Sequence, residues 1–505
     1  MVRGMAAGGL EVERKYDAPA AGRPLPDLTR VPGVAAVAPL DDELLDAVYV
    51  DTADLRLARA RATLRRRTGG RDAGWHLKLP AAGGARHEVT APLRGQAVPA
   101  ALARLVRSRA RGAPLTPVAR LRTTRTVLQL RDEDGRVLAE LADDAVVAEV
   151  VDEPAATAEW RELEVELVDG DVALLDAVET LLLASGARRS PSASKLGRLL
   201  GERALPDAVV EPRTAGDAVL AHLREHVDEL VARDPLVRRD EPDSVHKMRV
   251  ATRRLRSALK TFRPLLERER TDPLREELKH LAGVLGAARD AEVLRDRLLE
   301  QVHAEPAELV LGPVAQSIAD ELGGRYRKAH RAVVRELDGG RYLQLLEDLS
   351  ALLADPPLTE RAGRKARKEL PRLVGRVWHR LRDTHAAAEA AQTETERAHL
   401  LHEVRKTAKQ ARYAGEAVAP VVGRDAVQFA ARAEAVQEAL GEHQDSVVSR
   451  EALRGLAVRA HLSGGNGFTF GRLHGLEDAR AARADVAFQA AWDDLDRKKV
   501  LGWLR

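Results

Sequence analysis

The chain has 505 residues, of which 45% are hydrophobic and 31% charged, enough apolar residues for folded cores and too many for a disordered chain. It contains no cysteine, which excludes disulfides, thiolate metal sites and a cysteine nucleophile, and which is typical of a reducing compartment. Lys and Arg number 81 against 78 Asp and Glu, for a net charge of +3, and aromatic residues are only 3%. No apolar run is long enough to span a membrane. We therefore expect a cytoplasmic protein with no base-stacking surface for nucleic acid.

The first two hundred residues or so consist of short segments in which polar and apolar residues alternate, as in half-buried strands. A helix is expected from Val172 to Leu183. The segments with the clearest alternation are 10–16, 62–67, 75–79, 137–143 and 162–167.

Beyond Pro212 the pattern changes to long helical periods punctuated by proline and glycine. The sequence therefore predicts an α+β multidomain protein. We expect a β-rich domain at 1–204, a linker at 205–212 and an all-α domain at 213–505.

Charged residues alternate along the predicted strands and are sorted by sign. Glu11, Glu13 and Lys15 share one face of the first strand. Other strands carry mainly acids, as at 162–166, or mainly bases, as at 63–67. A solvated sheet has no reason for this segregation, whereas a closed barrel with a charged lumen does. Carboxylates suit Mg²⁺ or Mn²⁺, and facing Arg and Lys suit phosphate oxygens. A Gly-rich nucleotide-binding loop is absent from the sequence.

The motif Glu11-x-Glu13-x-Lys15 resembles the ExExK signature of the CYTH domain, the triphosphate tunnel metalloenzymes. Asp51-Thr52, Leu64–Arg67, Leu77-Lys78, the acidic strand 162–166 and Ser194-Lys195-Leu196 follow in the family's order. The resemblance covers roughly residues 8–200. It implies an eight-stranded antiparallel tunnel that hydrolyses or cyclises triphosphates with a divalent metal.

The same resemblance implies roles for individual residues. The expected metal ligands are Glu11, Glu13, Glu162 and Glu164, with Asp144 and Glu166 as weaker candidates, and the expected catalytic residues are Lys15 and Glu13. The expected triphosphate-binding residues are Lys15, Arg65, Arg67, Lys78, Lys195, Arg122 and Arg125. The strand register around Arg122 and Arg125 is open, so that only one of the two is expected to face the lumen. Glu140 either supports the metal site or is simply exposed.

The helical half contains an internal duplication, predicted at 213–357 and 358–490. The residues His246, Arg249, Arg253 and Arg256 recur 156 positions later as His402, Arg405, Lys409 and Arg412. Leu285-Gly286 and Asp290 likewise recur as Leu440-Gly441 and Asp445. Two related helical bundles are the simplest explanation.

A basic stripe runs beside an apolar stripe on the first helix of each copy. An ordinary solvated face is the plain alternative, but such faces mix acids with bases. No acid occurs from Val245 to Arg263, so this surface calls for an anionic partner.

Both copies resemble the CHAD domain, the conserved histidine α-helical domain, from about residue 213 to 490. The resemblance implies binding of inorganic polyphosphate without catalysis, with Asp290 and Asp445 in structural roles. The expected polyphosphate-binding residues are His246, Arg249, Arg253, Arg256, Lys260, His402, Arg405, Lys406, Lys409 and Arg412.

Together the two resemblances predict a metal-dependent hydrolase of inorganic triphosphate, using Mg²⁺ or Mn²⁺, fused to a polyphosphate-binding domain. The expected ligands are inorganic triphosphate and polyphosphate, in the cytoplasm or at polyphosphate granules. Two alternatives stay open, a class IV-type adenylate cyclase and a non-catalytic polyphosphate-binding protein. Nucleic acid is a less favoured ligand for the basic helices.

Overall fold

The computed structural model describes residues 10–19, 24–81, 85–192, 194–205 and 212–504, with backbone only at Leu10, Glu11 and 153–156. The chain divides into two compact units, Met1–Ala208 and Val209–Arg505. Most of the predicted linker, residues 206–211, lies outside the described residues, so its boundaries stay a prediction. Within the described residues, no helix is long and apolar enough to cross a membrane.

The first unit is built on one antiparallel sheet, and the segments predicted as strands are confirmed. In chain order its strands are β1 (Leu10–Glu11), β2 (Glu13–Asp17), β3 (Ala36–Pro39), β4 (Glu43–Asp51), β5 (Thr63–Thr68), β6 (Gly74–Pro80), β7 (Arg86–Ala91), β8 (Thr116–Arg131), β9 (Val137–Val150), β10 (Glu153–Leu167) and β11 (Arg188–Arg189). Their spatial order is β1-β7-β6-β5-β4-β8-β9-β10-β2-β11, with β3 paired to β8.

This sheet closes on itself through the N-terminal strand. β1 and β2 are halves of one strand interrupted at Val12, and they pair with different neighbours, β1 with β7 and β2 with β10. Counted as one, they complete a ring of eight strands, as predicted. The sheet has eleven strands in all because of this interruption and because β3 and β11 are short additions beside the ring.

Apolar residues on the outer face of the ring pack against helices, and most of the charged residues singled out from the sequence lie on the lumen face. The helices are α1 (Arg56–Arg59), α2 (Ala100–Ala110), α3 (Val172–Ala184) and α4 (Lys195–Leu200), of which α3 agrees with the helix predicted at 172–183. Leu163 and Val165 of β10 pack with Val178 of α3, while Leu77 of β6 packs with Val106 of α2. The period-two alternation of the sequence thus places a core outside the ring and charged groups inside it. A smaller apolar cluster also lies on the lumen face, where Leu121 and Ala148 pack with Leu196 of α4.

The second unit is helical throughout its described residues, 212–504. Its helices are α5 (Ala215–Arg238), α6 (Ser244–Thr261), α7 (Arg268–Ala304), α8 (Val314–Asp338), α9 (Gly340–Ala354), α10 (Ala366–Glu389), α11 (Glu394–Val422), α12 (Arg424–Leu462), α13 (Phe468–Leu495) and α14 (Lys498–Leu501). The two copies of the basic stripe lie on α6 and α11, and the two Leu-Gly pairs lie on α7 and α12. The apolar stripe of α6, including Met248 and Leu255, is buried in the main core.

Candidate functional site

Three acidic side chains meet inside the ring. Asp144 of β9 lies directly opposite Glu162 of β10, and Glu164 follows two residues later on the same face. One oxygen from each carboxylate lies within 4.8 Å of the other two. Asp144 and Glu162 are buried, with 0% and 3% of their surface exposed. An all-oxygen set of this kind fits a hard divalent cation such as Mg²⁺ or Mn²⁺.

Glu162 gives a second reason to regard the cluster as a cation site. Trp160 Nε1 donates a hydrogen bond of 2.6 Å to Oε2 of Glu162. The other oxygen, Oε1, is buried, and among the described residues an ammonium group, that of Lys195, approaches it at 2.7 Å without the geometry of a hydrogen bond. A buried carboxylate oxygen of this kind needs a nearby cation, either an ammonium group or a metal ion.

The ammonium group of Lys195 lies among these three carboxylates. Its Nζ is 2.8 Å from Asp144, 2.7 Å from Glu162 and 2.6 Å from Glu164. Lys195 is the first residue of α4, whose N-terminus is fixed by Ser194, because its Oγ accepts a hydrogen bond from the Gly197 amide. Burial alone would lower the pKa of Lys195, but the three carboxylates raise it well above its usual value.

Two further cations complete the charge balance of this acidic cluster. Arg125 of β8 forms a two-pronged ion pair with Asp144, at 2.8 and 2.7 Å, and also donates to Glu164 at 2.9 Å. Lys15 of β2 contacts Glu164 directly and lies 3.3 Å from Glu13. Burial would raise the pKa of Glu164, yet Lys15, Lys195 and Arg125 hold it well below its usual range.

The opposite part of the lumen is basic. Arg65 and Arg67 project from one face of β5, where Arg65 donates to the hydroxyl of Tyr49 at 3.2 Å and Arg67 contacts Asp72. Burial and the neighbouring charges of Arg65 and Arg125 lower the pKa of Arg67 to about 9. The Nε atoms of both arginines are buried without a hydrogen-bond acceptor among the described residues. These features favour an anion in the lumen.

The structure resolves the open register around Arg122. Arg125 faces the lumen, whereas Arg122 lies on the outer face, 3.7 Å from Glu149 and with 55% of its side chain exposed. Because the two positions differ by an odd number of residues, a single strand cannot point both inward. Arg122 therefore does not belong to the lumen set.

The remaining predicted residues of the tunnel lie beside the acidic cluster. By strand register, Glu13 pairs with Glu166, and Glu166 pairs with Glu140 on its other side. Glu140 accepts a hydrogen bond of 2.7 Å from Gln129. Lys78 is paired with Thr63 of β5 and lies on the same face of the sheet as the two arginines. The side chain of Glu11 lies outside the described residues.

Three lumen residues were not singled out from the sequence. Tyr49 contacts Arg65, Glu88 lies opposite Lys78 and 2.8 Å from His76, and Trp160 orients Glu162. The alternation of polar and apolar residues at 86–91 could have indicated the face of Glu88. Its role, however, depends on which strand pairs with this segment.

The basic stripes of the helical unit line one large cavity of about 1700 Å³. All ten residues predicted from the two copies are found around it, and α7 and α10 add Arg289, Arg376 and Arg380. One cavity thus combines the cations of both copies. A polyanion is the ligand class that such a surface suits.

The two Leu-Gly pairs position one arginine in each copy. A Cβ atom at Gly286 would lie 3.5 Å from Nη2 of Arg249, and one at Gly441 would lie 3.1 Å from Nη2 of Arg405. Both glycines thus lie against the guanidinium of the corresponding arginine, with a tight approach at Gly441 and an ordinary contact at Gly286. The glycines recur together with the arginines that they contact.

Cations crowd the middle of the cavity. Arg253 and Arg412 both lie 5.7 Å from the ring centre of Tyr413. Burial and the charges of Arg253, Arg405 and Arg249 lower the pKa of Lys409 to about 7. Burial is also the main cause of the lowered pKa of Arg253, and repulsion by neighbouring arginines lowers it further. Such repulsion is relieved when an anion binds.

One of the two recurring aspartates is paired with an arginine of the cavity. Asp290 accepts a hydrogen bond of 2.9 Å from Arg249, and Asp445 lines the cavity on the other copy. Arg412 is held by Glu416 and Glu434, both at 2.7 Å. The ion pair of Asp290 agrees with the structural role expected for it, and the role of Asp445 stays a prediction.

A second group of possible metal ligands lies on α5, where His222, Glu225 and His226 bring ligand atoms within 4.8 Å of one another. Burial, with the charge of Arg254, lowers the pKa of His222 to about 3 and that of His226 to about 4. The positive field of Arg254 opposes a bound cation as it opposes a proton. The two rings pack edge to face at 4.3 Å, and we assign them to packing.

Comparison with known families agrees with this geometry. The CYTH domain family matches residues 9–200, and the CHAD domain family matches residues 221–454. The N-terminal unit is thus of the triphosphate tunnel metalloenzyme type, whose members use divalent cations. The chain belongs to the family in which a CYTH domain is fused to a CHAD domain.

Two full-length relatives and one solved structure illustrate the similarity. The relatives are uncharacterized proteins of Mycobacterium tuberculosis, strains CDC 1551 and H37Rv, each 39% identical over 97% of this chain and 96% of its own length. The crystal structure of the CHAD domain from the plant Ricinus communis is 23% identical, covers 57% of this chain and 94% of its own, and has a TM-score of 0.45.

Proposed function

We propose that the N-terminal unit hydrolyses inorganic triphosphate with Mg²⁺ or Mn²⁺ and that the helical unit binds inorganic polyphosphate. The observation that carries the first part is the presence, in one lumen, of a buried three-carboxylate cluster and of two buried arginines, Arg65 and Arg67, whose Nε atoms have no acceptor among the described residues. The first feature suits a divalent cation and the second suits phosphate oxygens.

Asp144, Glu162 and Glu164 would hold the metal ion, which when bound supplies Lewis-acid stabilisation of charge on the phosphate oxygens. Arg65, Arg67 and Lys78 bind the phosphate chain from the opposite side of the lumen. The arginines do so as flat two-pronged donors and the lysine as a point charge. Because these groups lie on different strands of a closed ring, they hold the chain in a fixed orientation.

Hydrolysis adds water to a terminal phosphorus and breaks its bond to the bridging oxygen, releasing orthophosphate and pyrophosphate. The proton of the water needs an acceptor. Glu13 is the carboxylate we assign to this role, because it borders the acidic cluster and lies 3.3 Å from the ammonium of Lys15. Lys15 in turn stabilises negative charge on the phosphate that leaves.

Phosphate release from triphosphate, ATP and long polyphosphate, measured with Mg²⁺ or Mn²⁺ for the wild type and Glu13→Gln, tests the catalytic part. We expect release from triphosphate that is lost in the variant. Formation of cyclic AMP from ATP would instead identify an adenylate cyclase. No release from any substrate, with polyphosphate still bound, would leave a polyphosphate-binding protein, and we would then place it at polyphosphate granules in the cytoplasm.

Lys409 provides a test of polyphosphate binding in the helical cavity. Its pKa is about 7, and a bound polyanion favours the protonated ammonium, so binding takes up a proton. Affinity for long polyphosphate is therefore expected to be highest below pH 7 and to fall by up to about tenfold between pH 6 and pH 8.5, the equivalent of one charged contact. Fluorescence anisotropy of labelled polyphosphate measures this change.

The matched control for this pH effect is Lys409→Arg, which keeps its charge throughout the range. We expect its affinity to vary much less with pH than that of the wild type. An unchanged pH dependence in this variant would assign the effect to another group.

A further inference from the structure

We propose that Lys195 is a built-in competitor of the metal ion. It contacts the same three carboxylates as the proposed metal ion. For the metal to bind tightly, the ammonium group of Lys195 must move away from the carboxylates and contact the phosphate chain instead. This inference rests on the metal site proposed above and adds a consequence, namely that metal and triphosphate bind cooperatively.

The competition follows from the contacts of the ammonium group. Nζ of Lys195 lies between 2.6 and 2.8 Å from one oxygen of each carboxylate. A Mg²⁺ ion bound to the same oxygens, at about 2.0–2.1 Å, would occupy nearly the same position. Two cations cannot share this point because they exclude each other sterically and repel each other strongly in a buried site.

Lys195 differs in this respect from the other two cations of the cluster. Arg125 contacts Asp144 and Glu164, and Lys15 contacts Glu164 and Glu13. Among the described ion pairs, Lys195 alone joins all three members of the acidic cluster. Its approach to Glu162 has the distance of an ion pair, but Oε1 of Glu162 receives no hydrogen bond. A metal ion at that oxygen would take the place of the ammonium group.

The side chain is able to move while its backbone stays in place. Ser194 caps α4 directly before Lys195, and Leu196 and Leu200 anchor the helix against apolar residues on the lumen face of the ring, among them Leu121 and Ala148. The four-carbon stem of a lysine, by contrast, is flexible. A displaced ammonium buried in the lumen needs a new anion, and the phosphate chain is the one that the proposed reaction supplies.

Linkage then requires the two ligands to help each other. Triphosphate gives Lys195 a new partner and so frees the carboxylates, and metal binding in turn frees Lys195 for the phosphate. The factor by which one ligand improves the affinity for the other must be the same in both directions.

Binding of Mn²⁺, followed by electron paramagnetic resonance of the free ion, tests this proposal without reference to turnover. The full chain is titrated as wild type and as Lys195→Met, with and without an imido analogue of triphosphate that resists hydrolysis. Without the analogue, Lys195→Met is expected to bind Mn²⁺ at least about tenfold more tightly than the wild type. The analogue should tighten Mn²⁺ binding strongly in the wild type and weakly in the variant.

Two further variants separate the possible failures. Glu162→Gln should weaken Mn²⁺ binding in every condition, and if it does not, the metal site of the proposed function is wrong. Lys195→Gln, a second neutral variant of similar size, repeats the test should Lys195→Met fold poorly by circular dichroism. The proposed competition is overturned if a folded neutral variant at Lys195 binds Mn²⁺ as weakly as the wild type or more weakly. If Glu162→Gln shows the expected loss in the same experiment, the metal site itself is still supported.

Discussion

Replacing Glu164 with glutamine is expected to reduce metal-dependent phosphate release from triphosphate by at least about 10²-fold, the scale seen when a preorganised charge-stabilising group is lost. Glu164 contacts Lys15, Arg125 and Lys195 and is one of the three proposed metal ligands. The amide removes one negative charge and leaves these cations in excess, which repels a divalent ion. Initial rates of phosphate release at several Mg²⁺ concentrations measure the effect.

The matched control for Glu164→Gln is Arg122→Gln, which also changes one charge of the same unit but lies on the outer face of the ring. We expect its activity to remain within about twofold of the wild type. Polyphosphate binding should be unchanged in both variants. Near-normal activity of Glu164→Gln would show that the acidic cluster does not hold the catalytic metal.

Reversing the charge at Arg253 and Lys409 together is expected to weaken the binding of long polyphosphate by at least about 10³-fold at physiological salt. The two residues occupy equivalent positions in the two copies and line the same cavity. Substituting both with glutamate replaces two basic side chains of the cavity by two carboxylates. Because each contact with a phosphate releases counterions, the dependence of the affinity on salt should also become shallower.

A control with the same change of net charge is available on α7. Arg268 and Lys279 have 63% and 59% of their side chains exposed and do not line the cavity. Their double substitution with glutamate should reduce the affinity far less than the double substitution in the cavity. Equal losses in the two double variants would mean that polyphosphate binds through net charge alone.

The tunnel was predictable from the sequence because its signal is local. The lumen acids at 162–166 and the bases at 63–67 each alternate within one strand, so that their face is fixed by the period of the strand. The face of Arg125 was not predictable in the same way. It depends on the register that places Arg125 opposite Asp144 of β9. This register is set by the pairing of β8 with β9 and is not visible in either strand alone.

Lys195 shows a further limit of sequence reasoning. Its type and position suggested a phosphate contact, but the sequence gives no distance to residues 31 to 51 positions earlier. Its contacts with Asp144, Glu162 and Glu164 arise only when α4 is placed against the ring. In the helical unit the basic stripes followed from helical periodicity, whereas the single cavity they share depends on how α6, α7, α10, α11 and α12 pack.

The pairing of the N-terminal strand with the last strand of the ring has a consequence for how the tunnel is made. β1 and β2 are synthesised before the other strands of the ring, but the partner of β2, β10, is the last of them, and Lys15 and Glu164 are 149 residues apart. Such distant pairings are slow to form, and a strand that waits for its partner exposes an edge that other chains can join. A nascent chain arrested before Leu167 therefore lacks both the closed ring and Glu164 in its ion-paired position, and chaperone protection is needed most over this interval.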